Sequence, residues 1–153
     1  MELNHEIVDT PPRDSASVVM LRDGAAGLEV LLLRRHADSN VLGGAYVFPG
    51  GKVDAEDAAP DMLARLDRAP AELHTRLGEP SLSTGQAAAF YVAAAREAAE
   101  ESGVLFLQVG AEEIALHSAR TCTRLRAGEA FAALLAEHAA RLDTDALAPW
   151  SRW

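Results

Sequence analysis

The chain has 153 residues, 49% of them hydrophobic and 24% charged, and its 14 basic and 23 acidic side chains leave a formal charge of −9. A single domain of this length buries enough apolar surface to fold without staples. Its one cysteine, Cys122, excludes an internal disulfide framework and suits a small buried hydrophobe in a reducing, cytoplasmic setting. The acidic balance excludes a broad nucleic-acid footprint, which needs a basic face to displace counterions from phosphates. No run of 18 apolar residues offers a membrane span, and Glu2, Glu6, Asp9, Arg13 and Asp14 are wrong for a secretory leader.

In chain order, residues 1 to 14 read as a flexible polar lead-in closed by Pro11-Pro12, and residues 15 to 153 as one domain. Ser17 to Arg22 is short, β-branched and apolar. After Asp23-Gly24 and Gly27 the apolar pattern resumes from Leu28 to Arg34, which predicts two strands joined by a tight connection. Ala45 to Phe48 predicts a third strand, and Pro49-Gly50-Gly51 stops it, leaving flexible backbone and exposed amide groups directly behind. From Asp54 to Pro80 the chain is polar and proline-punctuated. Met62, Leu63 and Leu66, then Leu73 and Leu77, recur at helical spacing and predict two short helices in an excursion.

The longest regular segment is Ala-rich and predicts a helix from Leu82 to Ser102, with Ser81, Ser83 or Thr84 as N-cap and Gly103 as the stop. Val104 to Gln108 then predicts a buried strand. Arg126 to Leu142 predicts an amphipathic helix with Phe131, Leu134, Leu135, His138 and Leu142 along one stripe. His5, His36, His74, His117 and His138 have no metal-like partners in the sequence. Trp150 and Trp153 are read as capping a core edge or marking an unfinished element.

Glu97, Glu100 and Glu101 stand at i, i+3 and i+4, so their side chains leave one helix face within a single turn. Like charges at this spacing repel, and the C-terminal end of a helix disfavours anions further. A solvated acidic face is the plain explanation. The chemical one is a site for hard divalent cations, since Mg2+ and Mn2+ take oxygen ligands and neutralise clustered carboxylates. Arg96 adjoins the cluster and can orient one of its members.

The string Arg96-Glu97-Ala98-Ala99-Glu100-Glu101-Ser102-Gly103-Val104, with Gly51 upstream, resembles the box of the Nudix hydrolases. That box runs Gly, five residues, Glu, seven residues, then Arg-Glu-U-x-Glu-Glu-x-Gly-U, where U is bulky and aliphatic. Arg96, Glu97, Glu100, Glu101 and Gly103 occupy its fixed positions, and Val104 fills the last U. Ala98 is smaller than the usual occupant of the first. Five residues after Gly51 the Glu is replaced by Asp57, with Glu56 one position early, and either is a candidate for its role. Between Asp57 and Arg96 lie 38 residues where the common box has seven, so an insertion splits the box. Split boxes are similar to those of the subgroup that includes the peroxisomal coenzyme A diphosphatases, in which a helical excursion interrupts the loop; residues 58 to 81 fit that place. Leu31, Leu32, Arg35, Gly44 and Phe48 to Gly51 also match the coenzyme A signature at its spacing. Leu33, His36 and Asn40 depart from it, Asn40 standing where a second Arg is usual.

The resemblance covers roughly residues 16 to 107 and implies an α/β/α sandwich with a mixed sheet. It implies hydrolysis of a diphosphate linkage in a nucleoside diphosphate derivative, with coenzyme A or an acyl-coenzyme A a candidate substrate. By position, Glu97, Glu100, Glu101 and the Gly50 carbonyl are expected to hold Mg2+ or Mn2+. Glu100 or Glu101 is expected to orient or deprotonate the attacking water. Arg96 is expected to hold a carboxylate in place with Asp57 or Glu56, and Arg35, Lys52 and Gly51 to contact the substrate. A domain of this family usually continues with further strands after the box, whereas residues 109 to 153 pattern as helix. The expectation is therefore that C-terminal strands are missing from this chain, or that a second chain completes the sheet as in a homodimer. The expected partner is a small-molecule diphosphate, with neither nucleic acid nor membrane. The reading from a different class is a Nudix-like nucleotide-binding or regulatory module without turnover.

Overall fold

Alanine loses no side-chain entropy on entering a helix and lets neighbours approach closely, and the Ala-rich segment is the axis on which the molecule is built. The computed structural model describes residues 11–39, 42–108 and 119–152. In it, helix α3 spans Thr84–Ser102. Of the three candidate caps, Ser83 is the one used. Its Oγ accepts from the Gln86 amide at 3.2 Å while the Gln86 side chain accepts from the Ser83 amide at 2.9 Å, a reciprocal capping box. Gly103 ends the helix at φ +80°, the left-handed position that favours glycine. One face of α3, formed by Ala88, Tyr91, Val92, Ala95, Ala98 and Ala99, is buried in the core.

Short antiparallel strand pairs flank this helix. Strand β1 (Ser15–Ser17) pairs with β6 (Gly50–Lys52), β2 (Leu21–Gly24) with β3 (Gly27–Val30), and β4 (Leu33–Arg34) with β5 (Tyr46–Val47). The predicted strand 17–22 is thus two pieces, because its backbone changes partner. Val18 donates to the Pro49 carbonyl at 2.8 Å, while two residues later the Met20 carbonyl accepts from Leu31. The predicted strand 28–34 divides for the same reason, pairing first with β2 and then with β5. Gly50-Gly51 does more than stop a strand, since both residues are themselves paired in β6. The tight hairpin connection is present, with Gly24 opposite Gly27.

The excursion is wired into the core. A 3-10 turn (Ala55–Ala58) leads into α1 (Pro60–Leu63) and then α2 (Pro70–Leu77). Each of these two helices has its proline at the first position, where the missing N–H costs nothing. Met62, Leu66 and Leu73 have 2%, 4% and 0% exposure, and α2 packs along α3. The segment is further clasped to the chain around Leu142. The Leu142 amide donates to the Arg65 carbonyl at 2.8 Å, the Asp67 amide to the Leu142 carbonyl at 3.2 Å, and the Asp67 carboxylate accepts from both the amide and the hydroxyl of the buried Thr144.

The predicted helix 126–142 is broken. Helix α4 is Ala119–Arg126 and α5 is Phe131–Glu137, separated at Gly128, whose φ of +87° no helix interior accepts. Phe131, Leu134 and Leu135 bury as the stripe foretold. Leu142 is buried too, but in β8 (Arg141–Leu142), which pairs with β7 (Leu107–Gln108). Only the last two residues of the predicted strand 104–108 find a ladder partner. The strand ladders among the described residues are antiparallel, with a single isolated parallel bridge between Leu66 and Leu142, where a mixed sheet was expected. Cys122 is buried with a free thiol, whereas Trp150 is 97% exposed and caps no core edge. No helix of the described residues is long and apolar enough to cross a membrane. Asn40, His5, His117 and Trp153 lie outside the described residues.

If the insertion is core, truncating its one fully buried leucine must cost what a core truncation costs. Leu73→Ala is expected to lower the unfolding free energy by about 2–5 kcal/mol in a denaturant titration; a loss below about 0.5 kcal/mol would instead mark a surface excursion.

Candidate functional site

A carboxylate buried at 2% exposure needs strong partners, and Asp57 has them. Its two oxygens accept from Nε and Nη2 of Arg96 at 2.9 and 3.0 Å, a fork-on-fork pair. One of them also accepts from the Asp54 amide at 2.9 Å, which locks the 3-10 turn. Nη2 of Arg96 donates as well to the Lys52 carbonyl at 2.9 Å. The arginine thus ties together the end of β6, the 3-10 turn and α3. Glu56, the alternative to Asp57, is exposed.

The remaining nitrogen of Arg96, Nη1, donates to Glu97 at 2.8 Å and reaches Glu100 at 3.4 Å. Glu101 accepts from the Gly50 amide at 3.0 Å. A side chain at Gly51 would overlap the Glu97 carboxylate, and one at Gly50 would press on the backbone of Ala16 and Ser17, so the paired glycines let β6 lie directly against α3. Burial raises the Glu97 carboxyl above the usual carboxylate range, and Glu100 and Glu101 add to that rise against the pull of Arg96. Burial opposes the charge on Arg96, yet the hydrogen bonds and charges of Asp57 and Glu97 outweigh it and raise its pKa.

Glu97, Glu100 and Glu101 open on a cleft of about 550 Å3 whose other wall carries Leu33, Arg34, Arg35, His36, Ser39 and Val47, with Arg126 at its end. Arg35 thus lines the same cleft as the three glutamates. The Lys52 side chain is exposed and is not among those lining this cleft; its contribution is the backbone carbonyl on Arg96. Arg34, on β4 opposite Tyr46, was missed, although its adjacency to Arg35 was the available signal. Arg126 was missed because the sequence placed it at the start of a long helix rather than at the end of a short one. Gly128 was the overlooked mark.

The donor set suits a hard divalent cation, being three carboxylates on one cleft beside a backbone strand. Among the described residues no three His, Cys, Asp or Glu side chains already converge into a cage. The glutamates are engaged with Arg96 and the Gly50 amide, and side-chain rotation is what would bring their oxygens together. Asp57 would retain Arg96 through two bonds while Nη1 gave up its glutamates.

No protein-family profile matches the chain. In sequence it is similar to the human acyl-coenzyme A diphosphatase NUDT19, 36% identical over 105 residues, which covers 55% of this chain and 28% of that protein. In structure it is similar to the crystal structure of a NUDIX hydrolase from Alicyclobacillus acidocaldarius, with a TM-score of 0.66 and 29% identity, covering 89% of this chain and 59% of that one. The chain thus spans less than two thirds of the length of either relative.

Two outcomes test this geometry. Asp57→Ala removes the bidentate partner of a guanidinium that is only 12% exposed and is expected to cost about 3–5 kcal/mol of stability, whereas Glu56→Ala should change it by less than about 0.5 kcal/mol; equal effects in thermal denaturation would contradict the ion pair. The raised Glu97 pKa means its ionised form is less favourable folded than unfolded, so stability is lost as pH rises through that range. In chelator-treated protein, Glu97→Gln should accordingly melt above wild type at pH 7, with the gap closing below pH 4.

Proposed function

We propose that this chain, which has the Nudix fold and resembles the Nudix hydrolases in sequence, hydrolyses the diphosphate linkage of a small nucleoside diphosphate derivative, with coenzyme A or an acyl-coenzyme A the candidate substrate. One observation carries the reading. Asp57 and Arg96 are joined across the 38 residues that separate them, so the two halves of the split box meet and three glutamates face one cleft. The similarity to the human acyl-coenzyme A diphosphatase supports the substrate class.

Glu97, Glu100 and Glu101, with the Gly50 carbonyl, would hold Mg2+ or Mn2+. Such an ion lowers the pKa of bound water, neutralises charge growing on the phosphoryl oxygens and aligns an in-line displacement. The chain's own groups do the rest. Glu100 or Glu101 takes the proton of the attacking water, and proton transfer of this kind contributes about 100- to 10,000-fold. Arg96, anchored on Asp57 and the Lys52 carbonyl, holds α3 against β6, so that Glu97 and Glu100 stay beside the cleft when Nη1 releases them. Arg35 and Arg34, on the opposite wall, supply local positive charge to diphosphate oxygens in a chain of formal charge −9. Gly51, a candidate backbone contact for the substrate, has no side chain and so lets the Glu97 carboxylate lie directly against the β6 backbone. The same acidity disfavours a nucleic-acid polymer as substrate, and a soluble phosphorylated metabolite suits a cytoplasmic location.

A second reading, a nucleotide-binding module without turnover, is favoured by the engagement of all three glutamates with Arg96 or the Gly50 amide. Product analysis by mass spectrometry separates the two. Wild type and Glu101→Gln are incubated with coenzyme A, NADH, ADP-ribose and diadenosine polyphosphates plus Mg2+ or Mn2+. Wild type is expected to cleave coenzyme A, chelation to abolish cleavage, and Glu101→Gln to slow it by about 100-fold or more. A compound that raises the melting temperature without being cleaved would establish the binding module instead.

A further inference from the structure

The last four carbonyls of an α-helix have no partner inside it. At the C-terminus of α3 they belong to the turn that carries the candidate glutamates. The first of them, the Ala99 carbonyl, accepts from the Gly103 amide at 3.0 Å, while one position earlier the Ala98 carbonyl also takes the Ser102 hydroxyl at 2.6 Å. The next two are taken by one side chain from another helix: Arg126 donates from Nε to the Glu100 carbonyl at 2.5 Å and from Nη2 to the Glu101 carbonyl at 3.1 Å. Two successive carbonyls are thus read by one planar fork, a geometry that a lysine ammonium does not reproduce.

Arg126 is delivered there by packing. Leu125 is buried at 3% exposure, Cys122 lies against Gly103, and α4 packs on α3. The turn behind it is pinned by Arg124, which pairs with Glu129 and Glu137. Arg126 itself lines the same cleft as Glu97, Glu100, Glu101 and Arg35. It therefore meets the two carbonyls where the helix dipole is negative and three carboxylates already crowd.

We propose that Arg126 is a positioning residue: by clamping the Glu100 and Glu101 carbonyls it fixes the last turn of α3, and with it the direction in which both carboxylates enter the cleft. This rests on the hydrolase reading for its consequence, and on the hydrogen bonds alone for the clamp. The positive charge that Arg126 brings to the end of α3 also offsets the repulsion among the three glutamates without occupying a carboxylate oxygen.

The experiment uses the full chain with Mn2+ alone as probe. Mn2+ affinity is measured by titration calorimetry for wild type, Arg126→Ala and Arg126→Lys, together with melting temperature and amide hydrogen exchange at Glu101, Ser102 and Gly103. Groups that orient metal ligands typically change affinity by about 10- to 100-fold. Arg126→Ala is expected to lose that much, to exchange faster at the three amides, and to recover affinity when free guanidinium is added at concentrations that leave wild type unchanged. Arg126→Lys should fall between. Mn2+ binding as tight as wild type in Arg126→Ala overturns the proposal. If the variant also melts lower, guanidinium rescue supports positioning and its failure overturns it. If wild type itself binds no Mn2+, the metal-dependent reading fails, and the hydrogen exchange alone decides: faster exchange in Arg126→Ala upholds the clamp, and unchanged exchange refutes it.

Discussion

Everything around the candidate site hangs on the buried pair between Asp57 and Arg96. A carboxylate at 2% exposure is tolerable only with its charge met and its oxygens bonded, and this one has both a bidentate guanidinium and the Asp54 amide. The arginine is met in turn by the Lys52 carbonyl and two glutamates. Because these partners come from three separate segments, the pair acts as a fastener. It sets the distance between β6 and α3, and with it the approach of the Gly50 amide to Glu101.

The insertion between the two halves would be an entropic burden if it were loose. It is instead folded into the core through Met62, Leu66 and Leu73, and clasped by Leu142 and Thr144. Arg68 and Arg76 both reach Asp145, and Arg76 also caps the Thr144 and Leu147 carbonyls while lying over the Tyr91 ring. Pairs this exposed contribute little each. The apolar burial holds the segment, and the charges select its register. A rigid insertion lets the turn bearing Asp57 return to the same point beneath Arg96.

The candidate cleft is asymmetric in charge, with carboxylates from one helix facing Arg34 and Arg35 from a strand edge. Arg126 adds positive charge at the third edge through its grip on backbone carbonyls. The acidic composition of the whole chain conceals this arrangement, since only the local placement of a few arginines produces it.

Local features were legible in the sequence because their causes are local. A hydroxyl cap among Ser81, Ser83 and Thr84, the Gly103 stop, the prolines opening α1 and α2, the glutamate spacing and the Phe131–Leu135 stripe each depend on residues within a turn of one another. Strand limits were misread because a strand ends where its partner ends, as at Val18 and Leu31, and no residue there announces the exchange. The choice between Asp57 and Glu56 depended on which carboxylate the insertion turns toward a helix 39 positions away. The same holds for Arg126, whose partners lie 25 and 26 positions back and whose role required α4 to stop at the left-handed Gly128. What the sequence determined, then, was the central helix and the one face of it that carries three glutamates, because helix periodicity writes it within five residues. Which side chains from elsewhere meet that face was decided only by tertiary packing, since burial and hydrogen bonding between distant segments leave no periodic trace along the chain.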